Sequence, residues 1–303
     1  MKQKWIALVA IFALVISIFL PSNTLAATNT QNVINEKLGV PIVVYGANLS
    51  AEEKEIVKTA LRIDQEPEFD EITISGEDLV KYIKNSNSSS RMYSSAKITR
   101  QDEGKGLTIS IVTPSNITQV TAEMYESAML TAGIQDAVVE IAAPKPVTGH
   151  SALVGIYKAY EVKTGETLDI ERTDVANDEL SVATSLTESA GVSDEKVAEL
   201  LTQIKKVIAE NKPETREEVE QIVEDQLSKF QINLSDQDRK LLVDLMDRIS
   251  NLNIDFSKLS SQLGDLSAKF EETFGDILQD EGFWTSVKNF FNNLIDTVSN
   301  WFK

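Results

Sequence analysis

A chain of 303 residues with 42% apolar side chains can bury a substantial core, and it contains no cysteine, which excludes disulfides, a thiol nucleophile, thiolate metal sites and the acylated cysteine of a lipoprotein. Forty-seven acidic against 29 basic residues give a net charge of −18, with no stretch dense in Lys and Arg, which excludes an electrostatic grip on nucleic acid. A single histidine, His150, excludes metal sites built from several imidazoles.

The N-terminus reads as an export signal. Lys2 and Lys4 precede Trp5 to Leu20, a run that is apolar except for Ser17. Pro21-Ser22-Asn23 ends the run, and Thr24-Leu25-Ala26 places small residues where a signal peptidase reads. The run is shorter than the roughly 20 residues of a spanning helix. The expectation is cleavage after Ala26 and a mature protein secreted, or held on the outer face of the cell envelope, with a charge of about −20 once Lys2 and Lys4 are gone. Export without cysteine points to a Gram-positive exterior.

Residues 28–165 mix strand and helix signals. Pro41 to Gly46 is a β-branched run and reads as a strand; Ser50 with Glu53 is a capping box opening a helix to about Arg62. Glu71 to Ser75 alternates as a strand does, and Gly76-Glu77-Asp78 leads into a short helix through Ile83. Tyr93–Arg100 and Leu107–Thr113 read as strands flanking Asp102-Glu103-Gly104-Lys105-Gly106, which predicts a hairpin turn. A helix from Thr118 or Thr121 stops at Gly133, Ala137–Ala142 is a further strand, and a helix runs from about Ser151 to Val162.

Residues 170–280 read as helix throughout. Ser193 caps a stripe of Val197, Leu200, Leu201, Ile204, Val207 and Ile208; Thr215 and Glu218 form a capping box for the next helix. Leu242, Leu245, Ile249, Leu252, Phe256, Leu259, Leu263, Leu266 and Phe270 then alternate spacings of three and four. That heptad pattern over 242–270 predicts a coiled-coil-like seam, and one helix from 236 to 279 would span about 65 Å. Asn251, Asn253 and Gly264 are poor helix formers at which it would break. The fold class is therefore α+β: an N-terminal mixed-sheet domain over 28–165, then an all-helical region.

The last segment, 283–303, is an amphipathic aromatic helix by pattern. Phe283, Trp284, Val287, Phe290, Phe291, Leu294, Ile295, Val298, Trp301 and Phe302 fall on one face, with few charges opposite. So large an apolar stripe calls for cover by the protein's own core, a partner or a membrane surface.

Catalytic signals are sparse. Gly149-His150-Ser151 lacks the second glycine of a nucleophile elbow, Leu153 standing in its place, and no further histidine exists to act as base. Asp169-Ile170-Glu171 and Asp174 lack the spacing and central glycine of a calcium loop and read as a solvated face. Gly104-Lys105-Gly106 lacks the rest of a phosphate-binding loop. No cofactor, metal ligand or catalytic residue is assigned.

In order along the chain, Tyr45-Gly46-Ala47-Asn48-Leu49-Ser50, Ser75-Gly76-Glu77-Asp78-Leu79, Ser94-Ser95-Ala96-Lys97-Ile98, Asn116-Ile117-Thr118, Thr131-Ala132-Gly133-Ile134, Thr148-Gly149 with Ala152-Leu153, and Lys158-Ala159-Tyr160-Glu161 together resemble the YpuA-like family, exported Gram-positive proteins defined by a domain of unknown function. The resemblance covers about 40–165. It implies export and an α+β domain and brings no site residues. The expectation is a non-enzymatic envelope or secreted protein that binds an envelope protein or a membrane surface, with the heptad segment as a seam for homo-oligomers. The alternative is an exported hydrolase or carbohydrate-active enzyme, which would need two carboxylates about 5–10 Å apart in a cleft.

Overall fold

The structure, a computed structural model, describes residues 38–255 and 261–268. It is α+β. A five-stranded mixed sheet has the order β2-β1-β3-β5-β4. Its strands are β1 (Ile42–Gly46), β2 (Asp70–Ile74), β3 (Ser95–Arg100), β4 (Leu107–Ile111) and β5 (Ala137–Ala142). The export signal, residues 1–26, lies outside the described residues.

Local chemistry sets the first elements. Helix α1 (Ala51–Ala60) opens on the expected box: the Glu53 amide donates to Ser50 Oγ (3.2 Å) and the Ser50 amide to Glu53 Oε2 (2.9 Å). Helix α2 (Gly76–Tyr82) repeats the device with Ser75 and Asp78. α1 crosses over between the parallel pair β1 and β2 and packs Val57 and Leu61 against Val43 and Tyr45 on one sheet face.

Strands β3 and β4 do not form the predicted hairpin. β5 lies between them, antiparallel to β3 and parallel to β4. The link 101–106 steps across β5, a distance of about two strand spacings, ~9.5 Å. Asp136 at the entry to β5 ties it down, accepting from the Gln101 amide through its carbonyl (2.7 Å) and from the Gly106 amide through Oδ1 (2.8 Å). Gly104 and Gly106 supply the left-handed backbone that this wider link needs (φ 81° and 76°). The turn composition was real, but the turn closes over a third strand.

Helix α3 (Ala122–Ala132) is the crossover that makes the β4–β5 pair parallel. It starts at Thr121, whose side chain accepts from the Met124 amide, and stops at Gly133 in the left-handed region, φ 95°. Helix α4 (Ser151–Thr164) lies across β1, β2 and β3. The remaining helices are α5 (Ile170–Ala190), α6 (Asp194–Asn211), α7 (Arg216–Lys229) and α8 (Asp236–Ser250). Thr215 accepts from the Glu218 amide, but the return bond of the expected box goes one residue upstream, from the Glu214 amide to Glu218 Oε2 (2.7 Å). The described parts of 28–165 and 170–280 share one apolar core: Ile98 and Val139 of the sheet, Met129 of α3, Leu153 of α4, Leu180 of α5, Ile204 of α6, Val223 of α7 and Leu242 of α8 belong to a single cluster.

The heptad segment is not one helix. α8 ends at Ser250, and residues 251–255 are non-helical. Asn251 is the C-cap, and its Nδ2 donates to the Asp247 carbonyl (2.7 Å), closing the last turn. Leu242, Leu245 and Ile249 are buried within the chain's own core, as are Leu263 and Leu266 in the helical residues 261–268. Phe256, Leu259 and Phe270 lie outside the described residues.

Ion pairs bind α2 to α4. Lys158 meets Asp78 (2.7 Å), Lys81 meets Glu161 (2.5 Å), and Tyr82 Oη donates to Glu161 (2.7 Å). Burial pushes both carboxyls up. For Asp78, Lys158 and the Ser75 amide outweigh it; for Glu161, Lys81, Tyr82 and the Leu168 amide do, so both sit below their ordinary 3.8 and 4.5. A depressed folded pKa stabilises above the unfolded value and is lost as pH falls through the folded one. Acidification below about pH 4.5 should therefore loosen α2 from α4. Protection of the amides of residues 76–82, taken relative to intrinsic exchange at each pH, should fall there in the parent and change less with pH in Lys158→Met. Equal pH dependence in both would refute the linkage.

Candidate interaction groove

Helices α5 and α8 pack side by side, and their seam carries two adjoining clefts divided by Arg248. Arg248 is held from α5: its guanidinium donates to Asp174 (2.9 Å) and pairs with Asp178. Asp174 also accepts from the Lys84 amide (2.8 Å) and is only 7% exposed. This corrects the reading of Asp174 as part of a solvated face. It is an anchor joining the turn that follows α2 to α5 and α8. Burial pulls the Arg248 guanidinium down, but Asp178 and Asp174 outweigh it and raise it.

One cleft, of about 380 Å³, is of mixed character; Asp169, Arg172, Asp247, Arg248 and Asn251 line it together with the apolar Val175 and Leu252. Asp169 is the N-cap of α5 and accepts from the amides of Glu171 (2.8 Å) and Arg172 (3.2 Å). Arg172 Nε donates to the Thr131 carbonyl (2.9 Å), sealing the C-terminus of α3 beside Gly133. The other cleft, of about 350 Å³, has an apolar floor of Val182, Leu241 and Leu245 between Ser181, Ser185 and the acids Asp178 and Asp244. Leu241 is 40% exposed, one of few large apolar side chains so open among the described residues.

Every carboxylate lining the two clefts is already engaged. Asp169 caps α5, Glu171 pairs with Lys84, and Asp178 pairs with Arg248; Asp244 and Asp247 share Arg216. Asp225 is pushed up by burial, as a catalytic acid would be, but it lines neither cleft and accepts from Gln221 on its own helix. Among the described residues no group of three or more His, Asp or Glu could hold a metal ion, and no helix is long and apolar enough to cross a membrane. His150 precedes α4, half-buried and 3.5 Å from Thr184 Oγ1, with burial pulling its imidazole down.

The expected interaction face, Phe283, Trp284, Val287, Phe290, Phe291, Leu294, Ile295, Val298, Trp301 and Phe302, lies outside the described residues. The α5–α8 groove was not foreseen. Leu241 stood one place off the Leu242–Leu245–Ile249 stripe, which was the available signal.

Residues 45–266 match the family model described as Protein of unknown function (DUF1002). The chain belongs to this family. The DUF1002 match begins at the end of β1 and runs through α8 to residue 266. The helical half and its groove thus lie inside the family region, which extends well beyond the 40–165 of the sequence resemblance. The chain is also similar to Uncharacterized protein YpuA of Bacillus subtilis (strain 168), at 34% identity over 305 residues, 99% of this chain and 97% of that protein. No solved structure matches it.

Proposed function

We propose that this DUF1002 chain is an exported protein of the cell envelope that binds a partner and does not transform a substrate, with the α5–α8 groove as its contact surface. The observation that carries the binding reading is the pairing of an apolar floor, Val182, Leu241 and Leu245, with a rim whose carboxylates are all engaged as caps and ion-pair partners. A hydrolase using two carboxylates needs one to hold a proton and one to stay free, and this rim offers neither. Export rests on the sequence of residues 1–26. The aromatic face of 283–303 is a second contact for the same envelope role.

Two measurements test this. The stable extracellular form should begin at Ala27 by mass spectrometry; intact Met1 on that form would end the cleavage claim, and absence of the protein from both the extracellular and envelope fractions would end the export claim. The labelled mature protein should bind isolated envelope saturably, and Leu241→Asp should weaken binding at least about tenfold, some 1.4 kcal/mol, with an unchanged melt. Parent-like binding by that variant would remove the groove from the proposal.

A further inference from the structure

One buried charge pair has no part in the groove. Lys205 on α6 is 0% exposed and Glu179 on α5 is 1% exposed. Lys205 Nζ lies 2.7 Å from Glu179 Oε1 and donates to the Ser127 carbonyl (2.8 Å) and to Thr131 Oγ1 (3.0 Å) on α3. Ser127 Oγ and Thr131 Oγ1 each donate to Glu179 at 2.6 Å. All three ammonium protons and both carboxylate oxygens are thus satisfied across three helices. Burial pulls the Lys205 ammonium down, against Glu179, which raises it.

A pair of this kind adds little stability over apolar residues of the same volume, because desolvation offsets the attraction. Its distinctive property is direction. The surrounding helix faces carry small and aliphatic residues: Ala128 and Ala132 on α3, Ala176 and Ala183 on α5, Ala198 and Leu201 on α6. Such faces repack at modest cost when volume is kept. The five polar contacts close in one alignment only.

We propose that Lys205 and Glu179 are a register lock, which sets the axial position of α6 on α3 and α5 without adding net stability. α8 packs on both α5 and α6, so the same lock positions Leu241 and Leu245 over α5. The inference stands whether or not the groove binds a partner.

The test exploits the absence of native cysteine. Spin labels at Ser189→Cys on α5 and Glu210→Cys on α6, both exposed, report the α5–α6 alignment by pulsed dipolar spectroscopy on the full chain. The parent should give one narrow distance. Glu179→Leu with Lys205→Met should fold with near-parent helicity and melting temperature, yet give a broadened distribution or one displaced on the scale of a helical turn, about 5.4 Å. A narrow, unshifted distance in the folded double variant overturns the lock. Failure of the double variant to fold overturns it too, because the pair would then be a stability element.

Discussion

Lys205→Met alone should destabilise the protein by about 3–5 kcal/mol, the range for stranding one member of a buried ion pair. The methionine nearly matches the lysine in length, so the cost comes from Glu179. That carboxylate is 1% exposed, and without the ammonium it keeps only the hydroxyls of Ser127 and Thr131. Neither hydroxyl carries a charge to replace the ammonium. Glu179→Leu should cost a similar amount for the converse reason, leaving an ammonium with one carbonyl and one hydroxyl. The double variant should return close to parent stability, so a double-mutant cycle should give a coupling energy of several kcal/mol, beyond the ordinary ceiling of about 3 for neighbours. Urea unfolding with linear extrapolation measures all three. A loss below about 1 kcal/mol for Lys205→Met would mean that Glu179 finds another way to be satisfied.

Leu242→Asp should be as severe, and its neighbour Leu241→Asp nearly silent. Leu242 is 0% exposed in the core of α8, whereas Leu241, one residue along, is 40% exposed in the groove. Truncating a buried leucine costs about 2–5 kcal/mol from lost transfer energy and the cavity left behind. A carboxylate in its place adds the cost of burying an unpaired polar or charged group, a further few kcal/mol, or else forces the seam open. Surface substitutions away from special features usually stay within about 0.5 kcal/mol. Circular dichroism melts of the two variants should therefore differ by about 10–30 °C, at roughly 2–4 °C per kcal/mol for a chain of this size. Equal melts would mean that α8 does not pack through Leu242.

What could be read from residues alone was whatever is decided within about one helical turn. The Ser50–Glu53 box, the Ser193 and Thr215 caps and the Gly133 stop are hydrogen bonds or backbone conformations set over three or four residues, and each stands where the sequence placed it; of the two threonines offered as the start of α3, the structure uses Thr121. So do the five strands and the apolar stripes of α6 and α7, because side-chain periodicity follows the backbone period directly. Tertiary structure decided whatever depends on a partner far along the chain. β5 enters between β3 and β4 because its two edges complete both, a choice invisible to the 101–106 turn. Asp174 looked like a surface acid until Arg248, 74 residues on, enclosed it. Lys205 lay beside Leu201 and Ile204 on an apolar stripe, and only Glu179, with Ser127 and Thr131 more than 70 residues upstream, makes a lysine tolerable there. The heptad stripe failed as one helix for the same reason. Its spacing holds at Leu242, Leu245 and Ile249, which are buried within the chain's own core, but α8 stops after four turns at the Asn251 cap. A sequence specifies which face is apolar; which surface covers that face, and how a buried charge is compensated, are settled when distant segments meet.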